Sequence, residues 1–523
     1  MNFMGFFRAA LAALILLSAA ATAETLNRGT AAEPSTLDPH VATGNSAAPI
    51  LYDMFVGLTS FDFTGAIAPG AAESWTVSDD GKTYTFKLRD DLKWSDGSPM
   101  NAEDFVWSYR RLLTPATAAR FASFFYAIEN ARDVVRGKKP PESLGVSAPD
   151  ARTVVFQLSF PAAYFLQNIA SNPGAPVPRA VIEEHGRGWT RAGRMVSNGP
   201  YRLAEYVPQS HITLEKNPHF YAADTVKLER VKYYPTQNLA TQFNRYRAGE
   251  LDLLLAFPLD KVDFILEEIP RQLYIWPGLG TNFLVLNTRK PPFDDQRVRR
   301  ALSLAIDREG LATRILAPGE SPAYTLAPPV VGGYDVQIPG WASQPMGERM
   351  AQARQLMQEA GYGPDNPLEI DFRYDTSESG RRQVVAFSAM WRGLGVKVNA
   401  QDSDFITLNK AARTADFQVL RYAWFSPNND PDTFLGLLSS TNPNNYSGYK
   451  NARFDGLYRA GNANLDPVAR MQQLSDAEAI ALADQPVIPV YHFTRRFLVS
   501  PKVSGFVPNL RGLVLSRYLD VER

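Results

Sequence analysis

Residues 72–97 read AESWTVSDDGKTYTFKLRDDLKWSDG, and their pattern predicts an antiparallel β-hairpin. Trp75 and Val77 alternate with polar residues, and the same alternation resumes at Tyr84. The segment between the two runs, 79–82, is DDGK, which is typical of a tight turn. Successive side chains of a strand point to opposite faces, so we expect each arm to place its apolar residues on one buried face.

A helix and a further strand are predicted after the hairpin. Asn101 is a good N-cap, and Phe105 and Tyr109 lie four residues apart on one helical face. Pro115 should end this helix, and the alternation in 154–158 predicts another strand. This region therefore combines a small antiparallel sheet with helices.

The second half of the chain alternates strand and helix patterns. The apolar run 283–286 is typical of a strand covered on both faces. A helix should follow it, with Val298, Leu302, Ala305 and Ile306 on one apolar stripe. Another helix should run to about Ala360, with Gly361 as its C-terminal stop. Further strands are predicted at 368–374, 396–400, 417–422 and 486–493. The alternation favours an α/β domain.

Composition excludes several classes of function. The 523 residues include 54 Lys+Arg and 54 Asp+Glu, so the net charge is zero and the electrostatic basis of nucleic-acid binding is missing. Cysteine is absent, which excludes disulfides, thiolate nucleophiles and Cys-ligated metal centres. A chain of this length should contain about three domains.

The first 23 residues have the pattern of a cleavable secretory signal peptide. Arg8 is followed by an apolar run over 9–17 that is too short to span a bilayer, and 21–23 is ATA, an A-x-A cleavage pattern. A chain without cysteine cannot be anchored by a lipid thioether. We therefore expect a protein of the bacterial periplasm that is not lipid-anchored.

Enzyme motifs are missing from the sequence. It contains no G-x-S-x-G, no H-E-x-x-H and no G-x-x-x-x-G-K-[ST], and none of the five histidines has the spacing of a local metal pair. The run 183–185 (EEH) is better explained as a solvated helix end than as a metal or acid–base cluster. No metal or cofactor is predicted, and binding is favoured over catalysis.

Several segments resemble the solute-binding proteins of oligopeptide and dipeptide ABC importers, bacterial extracellular solute-binding protein family 5. The matching segments are 25–29 (TLNRG), 33–39 (EPSTLDP), 72–97, 104–108 (DFVWS), 198–201 (NGPY), 291–293 (PPF), 297–302 (RVRRAL) and 489–491 (PVY). The resemblance keeps one register over nearly the whole mature chain.

This resemblance implies an α/β, two-lobed periplasmic-binding-protein fold with a hinge and a third, smaller inserted α+β domain. Lobe I would be assembled from 24–66, 192–281 and 490–523. The inserted domain would be 67–191, and lobe II would be 282–489.

The resemblance also implies a ligand site in the segment 421–427, RYAWFSP. Arg421 and Trp424 match the pattern of oligopeptide binders, and Tyr422 and Phe425 belong to the same segment. Core packing is the alternative role for Trp424.

An acidic residue of the family pattern is missing from this segment. Pro427 occupies the position at which typical oligopeptide binders have an aspartate that pairs with the peptide's terminal ammonium. Asp430 could replace that charge or could organise a turn. Glu33 matches an acidic residue of lobe I near the same charge cluster, and a salt bridge with Glu33 is the alternative role for Arg421.

We therefore expect the substrate-binding component of an ABC importer, which captures oligopeptides or related peptide-like solutes and delivers them to an inner-membrane permease. We expect it to act as a monomer and to bind no nucleic acid. Two alternatives stay open. One is a periplasmic hydrolase acting on peptides or murein fragments, and the other is a binder of a non-peptide solute such as an opine, sugar, metal chelate or haem.

Overall fold

The computed structural model describes residues 24–44, 46–426 and 428–522. The predicted signal peptide, 1–23, and Pro427 lie outside the described residues. Among the helices of the described ranges, none combines the length and the apolar character that crossing a bilayer requires.

The strands and helices of the described residues are numbered in chain order. The strands are β1 (Thr25–Thr30), β2 (Thr59–Phe61), β3 (Ile67–Pro69), β4 (Ala72–Val77), β5 (Thr83–Leu88), β6 (Val146–Asp150), β7 (Thr153–Gln157), β8 (Tyr201–Val207), β9 (His211–Lys216), β10 (Arg230–Pro235), β11 (Leu253–Leu254), β12 (Leu273–Leu286), β13 (Ser321–Pro322), β14 (Leu368–Asp375), β15 (Val396–Ser403), β16 (Val419–Phe425), β17 (Val487–Val499), β18 (Val503–Ser504) and β19 (Asp520–Val521). The helices are α1 (Ala48–Met54), α2 (Ala102–Leu113), α3 (Ala131–Val135), α4 (Phe165–Ala170), α5 (Arg179–His185), α6 (Leu239–Arg247), α7 (Val262–Glu268), α8 (Gln296–Leu304), α9 (Arg308–Arg314), α10 (Met346–Glu359), α11 (Glu378–Arg392), α12 (Phe405–Thr414), α13 (Asp432–Leu435), α14 (Ala452–Ala463) and α15 (Pro467–Asp484).

The predicted hairpin and the helix after it are confirmed. Strands β4 and β5 pair antiparallel, with Val77 opposite Tyr84, in a four-stranded sheet of order β4-β5-β7-β6. Gly81 has a φ of +68° in the turn, which glycine adopts without strain. Asn101 caps α2, and its own backbone N–H donates to the Asp104 carboxylate at 2.8 Å. The start of the helix is therefore fixed by a reciprocal capping box.

A long mixed sheet runs through both lobes, in the order β15-β14-β16-β12-β17-β11-β1-β10-β9-β8. Its two central strands, β12 and β17, pair antiparallel from Leu273 opposite Leu498 to Val285 opposite Val487. Strands β14 to β16 lie on one side of this pair, and β1 and β8 to β11 lie on the other. The pair β12 and β17 is therefore the hinge, because the chain passes along it from one half of the sheet to the other.

Each predicted domain contains a hydrophobic core. One core lies within 58–169, and a second combines 26–56, 175–253 and 497–521. Two adjoining clusters lie within 279–491. The discontinuous second core is what a lobe assembled from separated segments requires, while the proposed boundaries stay predictions.

The strands of the second half are found where they were predicted, with longer bounds. Strand β12 begins at Leu273, ten residues before the predicted run at 283–286. Strand β17 continues to Val499, well beyond the predicted end at Phe493. Four half-buried residues, 493–496, separate the buried ends of this strand, so the apolar signal is interrupted while the strand crosses between the lobes. The helix α8 ends at Leu304, and the predicted stripe residues Ala305 and Ile306 lie beyond it, still fully buried.

Candidate functional site

A cleft of about 620 Å³ lies where the two lobes and the inserted region meet. Its walls come from the segments around α1 and α4, from the end of β16 and the loop after it, and from the C-terminal segments that follow the hinge. Aromatic side chains dominate the apolar part of the wall, and they are Tyr52, Phe61, Phe121, Phe124, Tyr164, Trp424, Phe425 and Tyr458. The volume is within the range of ligand sites in proteins.

Two of the candidates from the sequence, Trp424 and Phe425, lie on the cleft wall. Phe425 is 49% exposed, and its ring centroid lies 4.5 Å from that of Phe493 on the hinge strand. Trp424 is half-buried, and its indole N–H finds no acceptor among the described residues. Both rings therefore offer apolar surface to a ligand.

Arg421 and Tyr422 do not line the cleft. The Arg421 guanidinium forms an ion pair with Asp375, and its Nε donates to Gln383 Oε1 at 3.0 Å. Burial alone would raise the pKa of Asp375, but the adjacent Arg421 charge and hydrogen bonds lower it. The Tyr422 hydroxyl donates to Asn409 Oδ1 at 3.0 Å. These side chains are satisfied within lobe II.

Glu33 is also placed away from Arg421 in this structure. Its carboxylate accepts the Gln209 N–H at 3.3 Å, on lobe I. Burial, together with a hydrogen bond to Glu33, raises the pKa of Tyr206 to about 12. The carboxylate that pairs with Arg421 in this structure is Asp375, and not Glu33, which the sequence analysis gave as the partner in the alternative role of Arg421.

Asp430 does not supply a free charge to the cleft. It is 3% exposed and pairs with Arg470 Nη2 at 2.9 Å. The acidic residue on the cleft wall is Asp432, two positions later. The Asp432 Oδ1 accepts hydrogen bonds from the Tyr458 hydroxyl at 2.5 Å and from Asn462 Nδ2 at 2.6 Å. Burial, with the charge of Asp430 nearby, raises the pKa of Asp432.

Sequence reasoning missed two arginines of the cleft. Arg511 donates to the Gly65 carbonyl at 2.9 Å and lies 4.3 Å from the centroid of Phe61, and burial lowers its pKa to about 10. Arg495 lies on the hinge strand β17, over the Phe425 ring at 5.8 Å. For Arg495 the available signal was a charged residue inside an apolar strand pattern, whereas Arg511 lies outside the strands and had no such signal.

A backbone edge is also available at the cleft. Strand β16 pairs with β12 along its whole length, but with β14 only at Val419 and Leu420. It continues to Phe425 without a second neighbour in the described residues. An extended chain could add to such an edge by main-chain hydrogen bonds, independent of its side chains.

No group of three or more His, Asp or Glu residues within the described ranges is arranged to hold a metal ion. The site therefore offers aromatic surface, amide and hydroxyl groups, two cations and a strand edge, which are means of binding a solute.

Comparison with known proteins identifies the family. The profile of the bacterial extracellular solute-binding proteins, family 5 Middle, matches residues 66–446. The chain belongs to this family. The predicted family is thereby confirmed.

The relatives of this family-5 protein span nearly its full length. It is 36% identical to the periplasmic murein peptide-binding protein MppA of Escherichia coli over 493 residues, which are 94% of this chain and 91% of MppA. It is 37% identical to the probable deoxycholate-binding periplasmic protein YgiS of the same species over 494 residues, 94% of this chain and 92% of YgiS.

Solved structures show the same architecture. The unliganded open form of the murein tripeptide binding protein MppA matches with a TM-score of 0.85 and 35% identity, covering 96% of this chain and 98% of that one. The Haemophilus influenzae OppA complex with the peptide RPPGFSPFR matches with a TM-score of 0.78 and 32% identity, covering 96% and 99%. The predicted periplasmic-binding-protein fold is confirmed.

Proposed function

We propose that this family-5 protein is the periplasmic substrate-binding component of an ABC importer. It captures oligopeptides or related peptide-like solutes in the interlobe cleft and delivers them to an inner-membrane permease. It is secreted through a cleaved signal peptide, is not lipid-anchored, acts as a monomer and catalyses no reaction. The observation that carries the proposal is the cleft between two lobes that are joined by the hinge strands.

The chemistry of the cleft suits a peptide backbone. Every peptide residue carries a donor and an acceptor that are costly to bury unpaired. The edge of β16 supplies main-chain partners, and the side chains of Ser426, Asn428 and Asn442 on the same wall supply polar ones. The cleft is large enough to retain bridging water, which allows one site to accept different side chains.

The hinge couples binding to recognition by the permease. A ligand that contacts both walls stabilises the closed arrangement of the lobes, because it binds that arrangement better than the open one. The permease then has one shape to recognise for many ligands.

A binding experiment with a defined mixture of tripeptides to pentapeptides tests the proposal. Native mass spectrometry should show a one-to-one complex that releases intact peptide. Release of cleaved peptide with repeated turnover would instead establish the hydrolase alternative.

Two matched variants localise the binding. Phe425→Ala, on the cleft wall, should weaken peptide binding, whereas Phe405→Ala, at a side chain that is 68% exposed on α12, should leave it unchanged. Equal effects of the two variants would remove the cleft from the proposal.

A further inference from the structure

The hinge strand β17 carries a charge where its pattern calls for an apolar residue. Alternate residues of a strand share a face, which places Tyr491, Phe493, Arg495 and Phe497 together. Tyr491 and Phe493 pack with the core of lobe II, and Phe497 packs in the core of lobe I. Arg495 thus falls at the gap between the two cores, where the cleft lies.

The Arg495 guanidinium has no ion pair or hydrogen bond with any described residue, whereas its backbone belongs to the β12–β17 ladder. Its guanidinium lies over the ring of Phe425, and burial lowers its pKa. Other arginines of lobe II and the hinge have acceptors for their guanidinium groups. Arg421 pairs with Asp375, Arg470 with Asp430 and Arg496 with Glu320. Arg299 and Arg308, which are buried, donate to backbone carbonyls. Removing a cation from water without a partner is unfavourable, so the absence of any such acceptor at the Arg495 guanidinium calls for an explanation.

Two glycines leave room for this guanidinium. A Cβ atom at Gly512 would lie 3.0 Å from Arg495 Nε, and one at Gly278 would lie 3.7 Å from the same atom. Gly512 also has a φ of +67°, a conformation that glycine adopts readily. The backbone thus approaches the Arg495 side chain closely on two sides, and a third side of the guanidinium faces the cleft.

The charge of the cleft wall is also unbalanced. Its described charged residues are Arg495, Arg511 and Asp432, and the pKa of Asp432 is raised by burial. A second cavity of about 240 Å³, which shares Arg495 and Arg511 with the cleft, adds Arg496 and no carboxylate from the described residues. The surroundings of Arg495 therefore favour an anion.

We propose that Arg495 forms a carboxylate-binding subsite of the cleft, and that the solute captured by this chain places a carboxylate there. This inference rests on the proposed function and adds the chemical class of the ligand. The planar guanidinium presents paired N–H donors that match the two oxygens of a carboxylate. The Phe425 ring lies beside it, with its centroid 5.8 Å from Arg495 Cζ. The carboxylate is either the C-terminus of a peptide or an acidic side chain.

Four tripeptides separate these two sources. The probes are Ala-Ala-Ala with a free C-terminus, Ala-Ala-Ala amide, Ala-Glu-Ala amide and Ala-Gln-Ala amide, with N-acetylglutamate as a carboxylate that is not a peptide. The first pair compares the free C-terminus of Ala-Ala-Ala with its amide, and the second compares Ala-Glu-Ala amide with Ala-Gln-Ala amide. Calorimetry on the wild-type protein should show that, in one of these pairs, the peptide with the carboxylate binds at least tenfold more tightly, by about 1.4 kcal/mol. The pair that shows the gain identifies the source of the carboxylate.

Three variants assign the gain to Arg495. Arg495→Gln should abolish the difference within the pair and leave the neutral probe unchanged, and Arg495→Lys should keep part of it. Arg230→Gln, at an exposed side chain on β10, removes the same net charge and should keep all of it. Without ligand, Arg495→Gln should melt at the same temperature as the wild-type protein or higher, because it removes an uncompensated charge.

The outcomes distinguish failure of the carboxylate subsite from failure of the proposed peptide-binding function. The subsite is refuted if peptides bind but the carboxylate makes no difference, if Arg495→Gln keeps the difference, or if this variant weakens both members of the pair equally and lowers the melting temperature. If no peptide binds but N-acetylglutamate binds in a manner that depends on Arg495, the subsite stands and the peptide assignment fails. If neither binds, both fail.

Discussion

Replacement of Asp430 by asparagine should destabilise the protein without affecting its ligand. Asp430 and Arg470 have side chains that are each 5% exposed, and their closest atoms lie 2.9 Å apart. After the replacement, the Arg470 guanidinium keeps only weak neutral contacts, which include Asn462 Oδ1 at 3.4 Å and the Met471 sulfur at 3.9 Å. Its Nε is buried without an acceptor among the described residues. Removing one partner of a buried pair costs about 3–5 kcal/mol, because the other charge stays buried.

The measurement is urea unfolding at pH 7, followed by far-UV circular dichroism and tryptophan fluorescence. A chain with separate cores can unfold in more than one transition, so the shift should be taken from the transition that Asp430→Asn moves. Asp416→Asn is the matched control, since it breaks a surface pair with Arg373 in the same lobe and should cost about 1 kcal/mol or less. The double variant Asp430→Asn, Arg470→Met should recover most of the loss, because it removes both charges of the pair and leaves neither of them unpaired.

Peptide affinity completes the experiment. Asp430→Asn should change it less than threefold, a factor smaller than that of one charged hydrogen bond. A loss of stability below 1 kcal/mol, with peptide affinity reduced tenfold or more, would show that Asp430 serves the ligand and that the structural assignment is wrong.

Three further predictions concern closure, amino-terminal recognition and pH. A saturating ligand should reduce the radius of gyration in small-angle scattering and, at a hundredfold excess over Kd, raise the free energy of unfolding by about 2.7 kcal/mol; an unchanged radius would argue against hinge closure. Acetylation of a bound peptide's N-terminus should weaken binding less than tenfold in calorimetry, because proline at 427 offers neither a carboxylate nor an N–H and Asp430 is paired with Arg470. A larger loss of affinity would show that the peptide's ammonium group binds to Asp432. Burial lowers the pKa of His492 to about 3 in the folded protein. Between pH 7 and pH 5 this histidine is protonated in the unfolded chain, where its pKa is about 6.5, but stays neutral in the folded chain. The free energy of unfolding should therefore fall by about 2 kcal/mol over this range because of His492. His492→Gln should therefore lose less stability than the wild-type protein over that range in urea unfolding, and an equal loss would contradict the assignment.

Local signals in the sequence were sufficient for much of the fold. The hairpin at 72–88 and the capped start of α2 depend on residues a few positions apart, so their patterns can be read without knowledge of the rest of the chain. The end of β17 was predicted less accurately because the strand leaves the core of one lobe and enters the core of the other, which interrupts its apolar pattern.

The site was predicted less well, because its charges are paired across long sequence separations. Arg421 pairs with Asp375, 46 positions away, and Asp430 pairs with Arg470, 40 positions away. Proximity in sequence instead suggested Asp430 for the cleft, two residues from the carboxylate that lies there. Arg495 was overlooked for a different reason: its position at the cleft follows from the two cores on either side of it, which only the three-dimensional structure shows.

The ribbon formed by β12 and β17 has one soft degree of freedom. Sliding or twisting of one strand along the other would break the ladder that extends from Leu273 opposite Leu498 to Val285 opposite Val487, whereas flexing across its width would not. The register shifts between Pro277 and Thr281 and between Asn282 and Phe283 concentrate this flexing at one level of the ribbon. We therefore expect closure to follow one direction of bending, so that selection among solutes depends on the side chains that this bending brings together.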